Sequence, residues 1–216
     1  GYETPLGYAG DMSSTFPVSR KFTERQKDIY RITLDAHHKA IELAKPGVNF
    51  RDVHLRVGEV IFDGLKALGL TRGDSKEAVA NGAHALFFPC GTGHLMGLDV
   101  HDMENLGEQI VGYAGVPKST QFGLKSLRLG RELQPGFVLT IEPGIYFIPE
   151  LIDHWESNKI NTDFINFNEV CRYGDFGGIR NEEDILITET GNRVLGKPLA
   201  KTIEEVELER EKAWIN

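Results

Sequence analysis

A chain of 216 residues can bury one sizeable core or two small ones. At 40% hydrophobic and 26% charged residues it has the composition of a folded globular chain, which excludes the disordered and fibrous classes. Lys and Arg total 24 against 32 Asp and Glu, a net charge of −8 without a basic run, so a nucleic-acid partner held by phosphate neutralisation is excluded as well.

In chain order, residues 8–18 are small and β-prone and predict a strand that turns at Pro17. Thr23 with Gln26 predicts a capping box, and Ile29, Ile32, Ala36, Ala40, Leu43 and Ala44 follow at helical spacing until Lys45-Pro46-Gly47. A second helix is predicted from Arg51 to Leu68, with Val53, Val57, Val60, Ile61, Leu65 and Leu68 inward and Gly69 as its stop. A third, shorter helix runs from Asp74 or Ser75 to about His84. Beyond it, glycines from Gly91 to Gly130 divide the chain into short strands and loops. Phe137 to Glu142 and Ile145 to Ile148 read as strands flanking a tight Pro143-Gly144 turn. Residues 149–176 show no period and read as a long loop or excursion. Ile179 to Thr188 reads as one strand. Thr202 to Trp214 reads as a helix with Glu-to-Lys and Glu-to-Arg pairs on its wet face. Helices first and strands after, with no repeat and no linker, predict one α+β domain.

Of the seven histidines, His37, His38 and His54 fall in predicted helices and are expected to be solvated or capping. His94 and His101 lie in a glycine-rich run beside acidic residues, where the backbone can approach closely. Spacing alone leaves open either a shared cleft or two unrelated loop histidines. Glu142 ends an apolar run, and stands either at a wet strand end or inward against a cation, because an unpaired buried carboxylate is costly. Arg180, Glu182 and Asp184 alternate and so share one strand face, a pattern that a solvated edge would show equally. Together, Asp11, His94, Glu142 and Glu182 offer three carboxylates and one imidazole, an oxygen-dominated donor set with room for two divalent ions such as Mn²⁺, Co²⁺ or Zn²⁺. Two such ions ~3.5–4 Å apart need bridging carboxylates, and together they polarise a carbonyl and steady an oxyanion.

The blocks Gly93 to Asp102, Leu133 to Tyr146 and Gly178 to Asp184 resemble the signature segments of the pita-bread metallopeptidases, most closely the prolidase and aminopeptidase P branch. The resemblance extends through Gly123 to Arg128 and Gly10 to Pro17, nearly the whole chain. It implies roles residue by residue. Asp11 is the bridging aspartate ligand, His94 the imidazole ligand and Glu182 the second bridging glutamate. Glu142 is a ligand that also handles the proton of the attacking water. His101 contacts substrate and supports the tetrahedral intermediate, and Arg128 stands where prolidases receive a dipeptide's free carboxylate, which a guanidinium binds bidentately. Arg180 stands where the family keeps an arginine that orients the site. Cys90 occupies a substrate-side position at which the family usually has histidine, and a thiol cannot copy imidazole as a cationic donor. A Cys90–His94 nucleophilic pair would conflict with His94 as a ligand. Asn181 replaces an aliphatic residue and is expected to affect packing only. A further aspartate ligand of the family would fall just before Gly1.

The resemblance therefore implies an α+β pita-bread fold, a curved antiparallel sheet with helices packed on its outer face. Residues 1–216 would be the C-terminal majority of one catalytic domain, with the N-terminal domain and the start of the catalytic domain absent. It implies metal-dependent hydrolysis of peptide bonds to proline, of the Xaa-Pro dipeptidase or aminopeptidase P type, with two divalent ions, Mn²⁺ foremost. Short of one ligand, the isolated chain is expected to bind metal weakly and turn over little. The alternative is a non-catalytic pita-bread module that binds a peptide or partner through an incomplete metal site. The expected partners are a small peptide substrate and, in the full-length protein, a second copy in a homodimer. No apolar run reaches the ~20 residues of a membrane span or has the shape of a secretory leader. Two cysteines cannot make a disulfide framework, so the expectation is a cytoplasmic chain without a membrane partner.

Overall fold

The computed structural model describes residues 2–215. At its start β1 (Tyr2–Glu3) pairs antiparallel with β2 (Ala9–Gly10), the only regular strand within the predicted 8–18 segment among the described residues. Helix α1 (Glu24–Leu43) begins on the predicted capping box: Thr23 Oγ1 accepts from the Gln26 N–H, and the Thr23 N–H donates to the Gln26 side chain. Helix α2 (Phe50–Ala67) starts at Asn49, whose side chain accepts from the Arg51 N–H. The two helices come close at Gly64, where a Cβ would lie 2.6 Å from the Ile32 side chain. Helix α3 (Ser75–Ala80) is shorter than the sequence suggests, because Gly82 turns left-handed at φ 77° and residues 83–86 form a separate 3₁₀ turn. Helix α4 (Glu108–Val111) is a single turn within the glycine-rich region.

The sheet carries the main corrections. Strands β3 (Val138–Ile141) and β4 (Gly144–Phe147) do not form a hairpin about Pro143-Gly144. They are successive pieces of one extended run. After β4 come α5 (Pro149–Ser157) and α6 (Phe167–Val170), in a segment read from sequence as loop. Its helical signal is weak because the buried face of α5 consists of Ile152 and Trp155 alone. The single strand expected over 179–188 is likewise two, β5 (Gly177–Arg180) and β6 (Glu183–Ile187), followed by β7 (Asn192–Val194) and α7 (Ile203–Ile215). Strand β3 pairs with β6 and β4 with β5, both antiparallel, from Val138 opposite Leu186 to Phe147 opposite Gly177 in one continuous register. The ladder breaks only at Glu142-Pro143, where proline has no N–H to donate. In that register Glu142 stands opposite Glu182, and Asn181 opposite Pro143, whose carbonyl accepts from the Asn181 N–H at 3.4 Å.

Alternation along these strands divides the two faces of the sheet. Leu139, Ile141, Ile145, Ile179, Ile185 and Ile187 share one core with Ile29, Ala36, Val57 and Ile61 of α1 and α2, and α1 lies against β3, β4 and β5. Thr140, Glu142, Glu182 and Asp184 take the alternate positions. The extended segment Thr92–Met96 flanks β3 on its other edge: the N–H groups of Met96, Thr140 and Glu142 bond Val138, His94 and Thr92 carbonyls at 3.0, 3.0 and 2.7 Å.

Two histidines depart from expectation. His38 is exposed, but His37 and His54 are buried, as is His84. Burial pushes His37 and His54 down to about 3 and His84 to about 4, so all three are neutral. His37 and His54 lie on the inner faces of α1 and α2, where helical periodicity had already placed apolar neighbours, and His84 on the 3₁₀ turn 83–86. His54 Nδ1 meets Thr92 Oγ1 at 2.9 Å and ties α2 to the segment that flanks β3.

That flanking segment passes so close to β3 that a Cβ on Gly93 would overlap the Thr140 carbonyl. Gly93→Ala should therefore lower stability by about 2–3 kcal/mol or more, read as a fall in the denaturant midpoint. An unchanged midpoint would contradict this packing.

Candidate metal centre and cleft

At a directly opposed position of an antiparallel ladder whose N–H groups point outward, the two side chains stand close together on one face. Glu142 and Glu182 occupy such a position. The Glu142 N–H donates outward to the Thr92 carbonyl at 2.7 Å, and the Glu182 N–H donates to the Ser13 carbonyl at 2.9 Å on the opposite flank. Like charges so placed repel, unless protons or a cation lie between them. Both glutamates are buried.

His94 enters from the flanking segment. Its Nδ1 lies 3.0 Å from the Leu95 carbonyl, an acceptor only, so Nδ1 carries the hydrogen and Nε2 presents a lone pair. That Nε2 faces Glu142 Oε1 at 3.3 Å and Asp11 Oδ2 at 3.8 Å. Burial lowers the His94 pKa, which favours the neutral ring. A lone pair aimed at two carboxylates is the geometry of a shared cation. One ligand atom each from Asp11, His94 and Glu182 lies within 4.8 Å of the others, so donors from three separate segments converge on one spot.

The acids show the same demand. Glu182 Oε1 and Asp184 Oδ1 are buried with no hydrogen-bond partner in the protein. Burial pushes Glu182 up to about 7, with Glu142 and Asp11 adding to the shift, and burial raises Asp184 to about 6. Glu142 is raised by burial too, against the pull of Arg180. These residues fit divalent cations: three hard carboxylates and one imidazole, with the Glu182 Oε1 buried and unsatisfied. Three further residues hold the set. Thr140 Oγ1 accepts from the His94 N–H and donates to Glu142 Oε1, both at 3.1 Å. Asp184 Oδ2 accepts from the Asp11 N–H at 3.1 Å. Lys201 Nζ donates to the Glu182 carbonyl at 3.0 Å.

A cleft of about 360 Å³ opens beside this cluster, lined by Cys90, His94, His101, Arg128, Glu142 and Arg180 among others. Arg180 Nη1 pairs with Glu142 Oε2 at 2.7 Å, and its Nε donates to the Tyr146 hydroxyl at 2.7 Å. Although burial opposes its charge, Glu142 and Tyr146 outweigh that and hold Arg180 firmly protonated. Tyr146 is itself seated over Gly144 and Gly178, where side chains would collide with its ring. Cys90 is half-buried beside this pair, its thiol pushed up by burial and pulled back by Arg180. The exposed His101 ring stands edge-on to His94, 4.2 Å between centroids. Arg128 forms an ion pair with Glu104.

The structure thus brings all eight residues singled out from the sequence to one place. Asn181 does more than pack: its Oδ1 accepts from the Tyr30 hydroxyl at 3.3 Å behind the ladder break. Sequence reasoning placed Asp184 on the Glu182 face without giving it a role, and it missed Thr140, Tyr146 and Glu104. Thr140 and Tyr146 share strand parity with Glu142, a signal that could have found them. No pattern marks Glu104.

The profile of Metallopeptidase family M24 matches residues 2–189, and the chain belongs to that family. It is 38% identical over 200 residues to the Xaa-Pro dipeptidase of Mus musculus, covering 93% of this chain and 39% of the relative. It is 38% identical over 201 residues to the Xaa-Pro aminopeptidase of Escherichia coli strain K12, covering 93% of this chain and 37% of the relative. Among solved structures, a variant of E. coli aminopeptidase P in complex with substrate matches 97% of this chain and 40% of its own, at 36% identity and a TM-score of 0.74. The zinc-substituted E. coli enzyme in complex with product matches 96% of this chain and 39% of its own, at 37% identity and a TM-score of 0.71. The fold is accordingly the mixed α+β pita-bread fold of these enzymes, and the chain spans about two fifths of the length of these relatives.

The raised carboxyl groups give a test. Glu182 and Asp184 hold their protons more tightly folded than unfolded, so losing them as pH rises through 6 and 7 costs the metal-free fold stability. A divalent ion takes the protons' place above that range and must displace them below it. Millimolar Mn²⁺ should therefore raise Tm clearly at pH 8 and hardly at all at pH 5. Equal shifts at both pH values, or none, would count against a cation at these acids.

Proposed function

We propose that this chain supplies the metal centre and substrate cleft of a peptidase that cleaves bonds to proline, of the Xaa-Pro dipeptidase or aminopeptidase P type. The observation that carries the reading is the opposed pair Glu142 and Glu182 with the His94 Nε2 lone pair turned towards Glu142 and Asp11. Asp11, His94, Glu142 and Glu182 would hold two divalent ions, with Mn²⁺ the first choice for so oxygen-rich a set. The chemistry such ions supply is acidification of the attacking water and polarisation of the scissile carbonyl.

The chain's own residues do the rest. Glu142 Oε1 takes the proton of the attacking water and returns it to the departing prolyl nitrogen. Arg180 holds Oε2 of the same carboxylate, which leaves Oε1 as the oxygen facing His94. Thr140 fixes that orientation from the strand below. His101, at the exposed lip beside His94, donates to the oxyanion as the carbonyl becomes tetrahedral. Arg128, which also lines the cleft, receives the prolyl end of the substrate, and Cys90 lines it beside Arg180.

With Mn²⁺ added, the full-length protein should release the N-terminal residue from Xaa-Pro substrates, followed by proline or peptide appearance, while residues 1–216 alone should turn over little. Glu142→Gln should lower kcat at least ~100-fold by removing the base along with a ligand. A Mn²⁺-loaded full-length protein that cleaves neither Xaa-Pro dipeptides nor longer Xaa-Pro peptides would contradict the assignment.

A further inference from the structure

Both arginines that line the cleft are already matched by a glutamate. Arg180 is paired with Glu142 inside the metal cluster, and Arg128 is paired through Nη1 with Glu104. The second pair is not an incidental surface contact. The Glu104 side chain is 22% exposed and that of Arg128 41%, at the cleft wall. Glu104 is near enough to His94 and His101 for its charge to favour their protonated forms. It reaches this place from a short 3₁₀ turn, Glu104–Leu106, entered through Met103 at a left-handed φ of 57°. A non-glycine residue in that region is unfavourable, so the surrounding structure holds the turn in place.

An arginine meant to receive a free carboxylate is most effective as an uncompensated cation, because recognition rests on its net charge and its fork of donors. Here a second carboxylate would share one guanidinium with Glu104, and the two anions would repel across a partly desolvated cleft wall. A neutral group at the same place meets no such penalty and can still accept hydrogen bonds from the guanidinium. Resting on the reading of this cleft as an Xaa-Pro site, we propose that Glu104 sets the substrate class. By neutralising Arg128, it disfavours the free prolyl carboxylate of a dipeptide. It favours substrates in which proline is followed by an uncharged amide, as in peptides of three or more residues. The expectation that Arg128 receives a dipeptide's carboxylate is thereby turned round: the residue type is present and its charge is already taken.

The test is calorimetric titration of the metal-free 216-residue protein in EDTA, where hydrolysis does not intrude, with Ala-Pro and with Ala-Pro amide. The wild-type protein should bind the amide more tightly. Glu104→Gln should strengthen dipeptide binding by about tenfold and leave amide binding within about twofold. Added salt should shrink the effect of the substitution on the dipeptide. Equal changes for both ligands, or a weaker dipeptide complex in Glu104→Gln, would overturn the role of Glu104 alone. No binding of either ligand by either protein would overturn it together with the reading of the cleft. If the binding difference holds but the Mn²⁺-loaded full-length protein cleaves no Xaa-Pro bond, the proposed activity fails and the role of Glu104 stands.

Discussion

Two glutamates face each other across a broken antiparallel ladder, and much of the structure is arranged around that repulsion. The register that pairs β3 with β6 runs unbroken into the pairing of β4 with β5, so Glu142 and Glu182 cannot drift apart without unpairing the sheet. Pro143 opens the ladder at that point. The backbone there turns outward to Thr92 on one flank and Ser13 on the other, which brings His94 and Asp11 within reach of the same spot. The core on the opposite face, built from the alternate residues of the same strands and from α1 and α2, fixes the sheet from behind. A stable fold thereby presents a cluster of acids that is unfavourable by itself and calls for a cation.

The surroundings of the cluster divide the labour. Thr140, Asp184 and Lys201 hold the segments that carry His94, Asp11 and Glu182 by hydrogen bonds to backbone or carboxylate. Arg180 occupies one oxygen of Glu142 and leaves the other turned towards His94. The buried, neutral His54 anchors Thr92, whose carbonyl in turn receives the Glu142 N–H, so α2 is tied to the centre through a chain of two hydrogen bonds. The same logic of matched charge extends to the cleft wall, where Glu104 meets Arg128. Charge in this site is thus set pair by pair rather than by the chain's overall acidity.

Much of this was legible in the sequence because it follows from short-range rules. The capping box at Thr23 and the apolar spacing of α1 and α2 are local signals, and they recur in the structure almost residue for residue. The alternation of Arg180, Glu182 and Asp184 announced a common face, and they do share one even though the strand is broken at Asn181. What the sequence hid depends on pairing at a distance. Pro143-Gly144 looks like a hairpin turn, and only the partner strands show it to be an interruption in one ladder. Helix α5 has too narrow a buried face to register as periodic. His37 and His54 look solvated because histidine is polar, yet both are buried, and burial holds them neutral at neutral pH. Glu104 belongs to no motif, and its partner is 24 residues away.

The central claim is that the opposed glutamates exist to hold divalent cations. Anomalous diffraction from crystals of the protein soaked in Mn²⁺ tests it directly. The account predicts anomalous density enclosed by Asp11, His94, Glu142 and Glu182, with the His94 Nε2 side facing it and Leu95 still bonded to Nδ1. Density elsewhere, or an empty cluster with protons shared between Glu142 and Glu182 at saturating Mn²⁺, would contradict it.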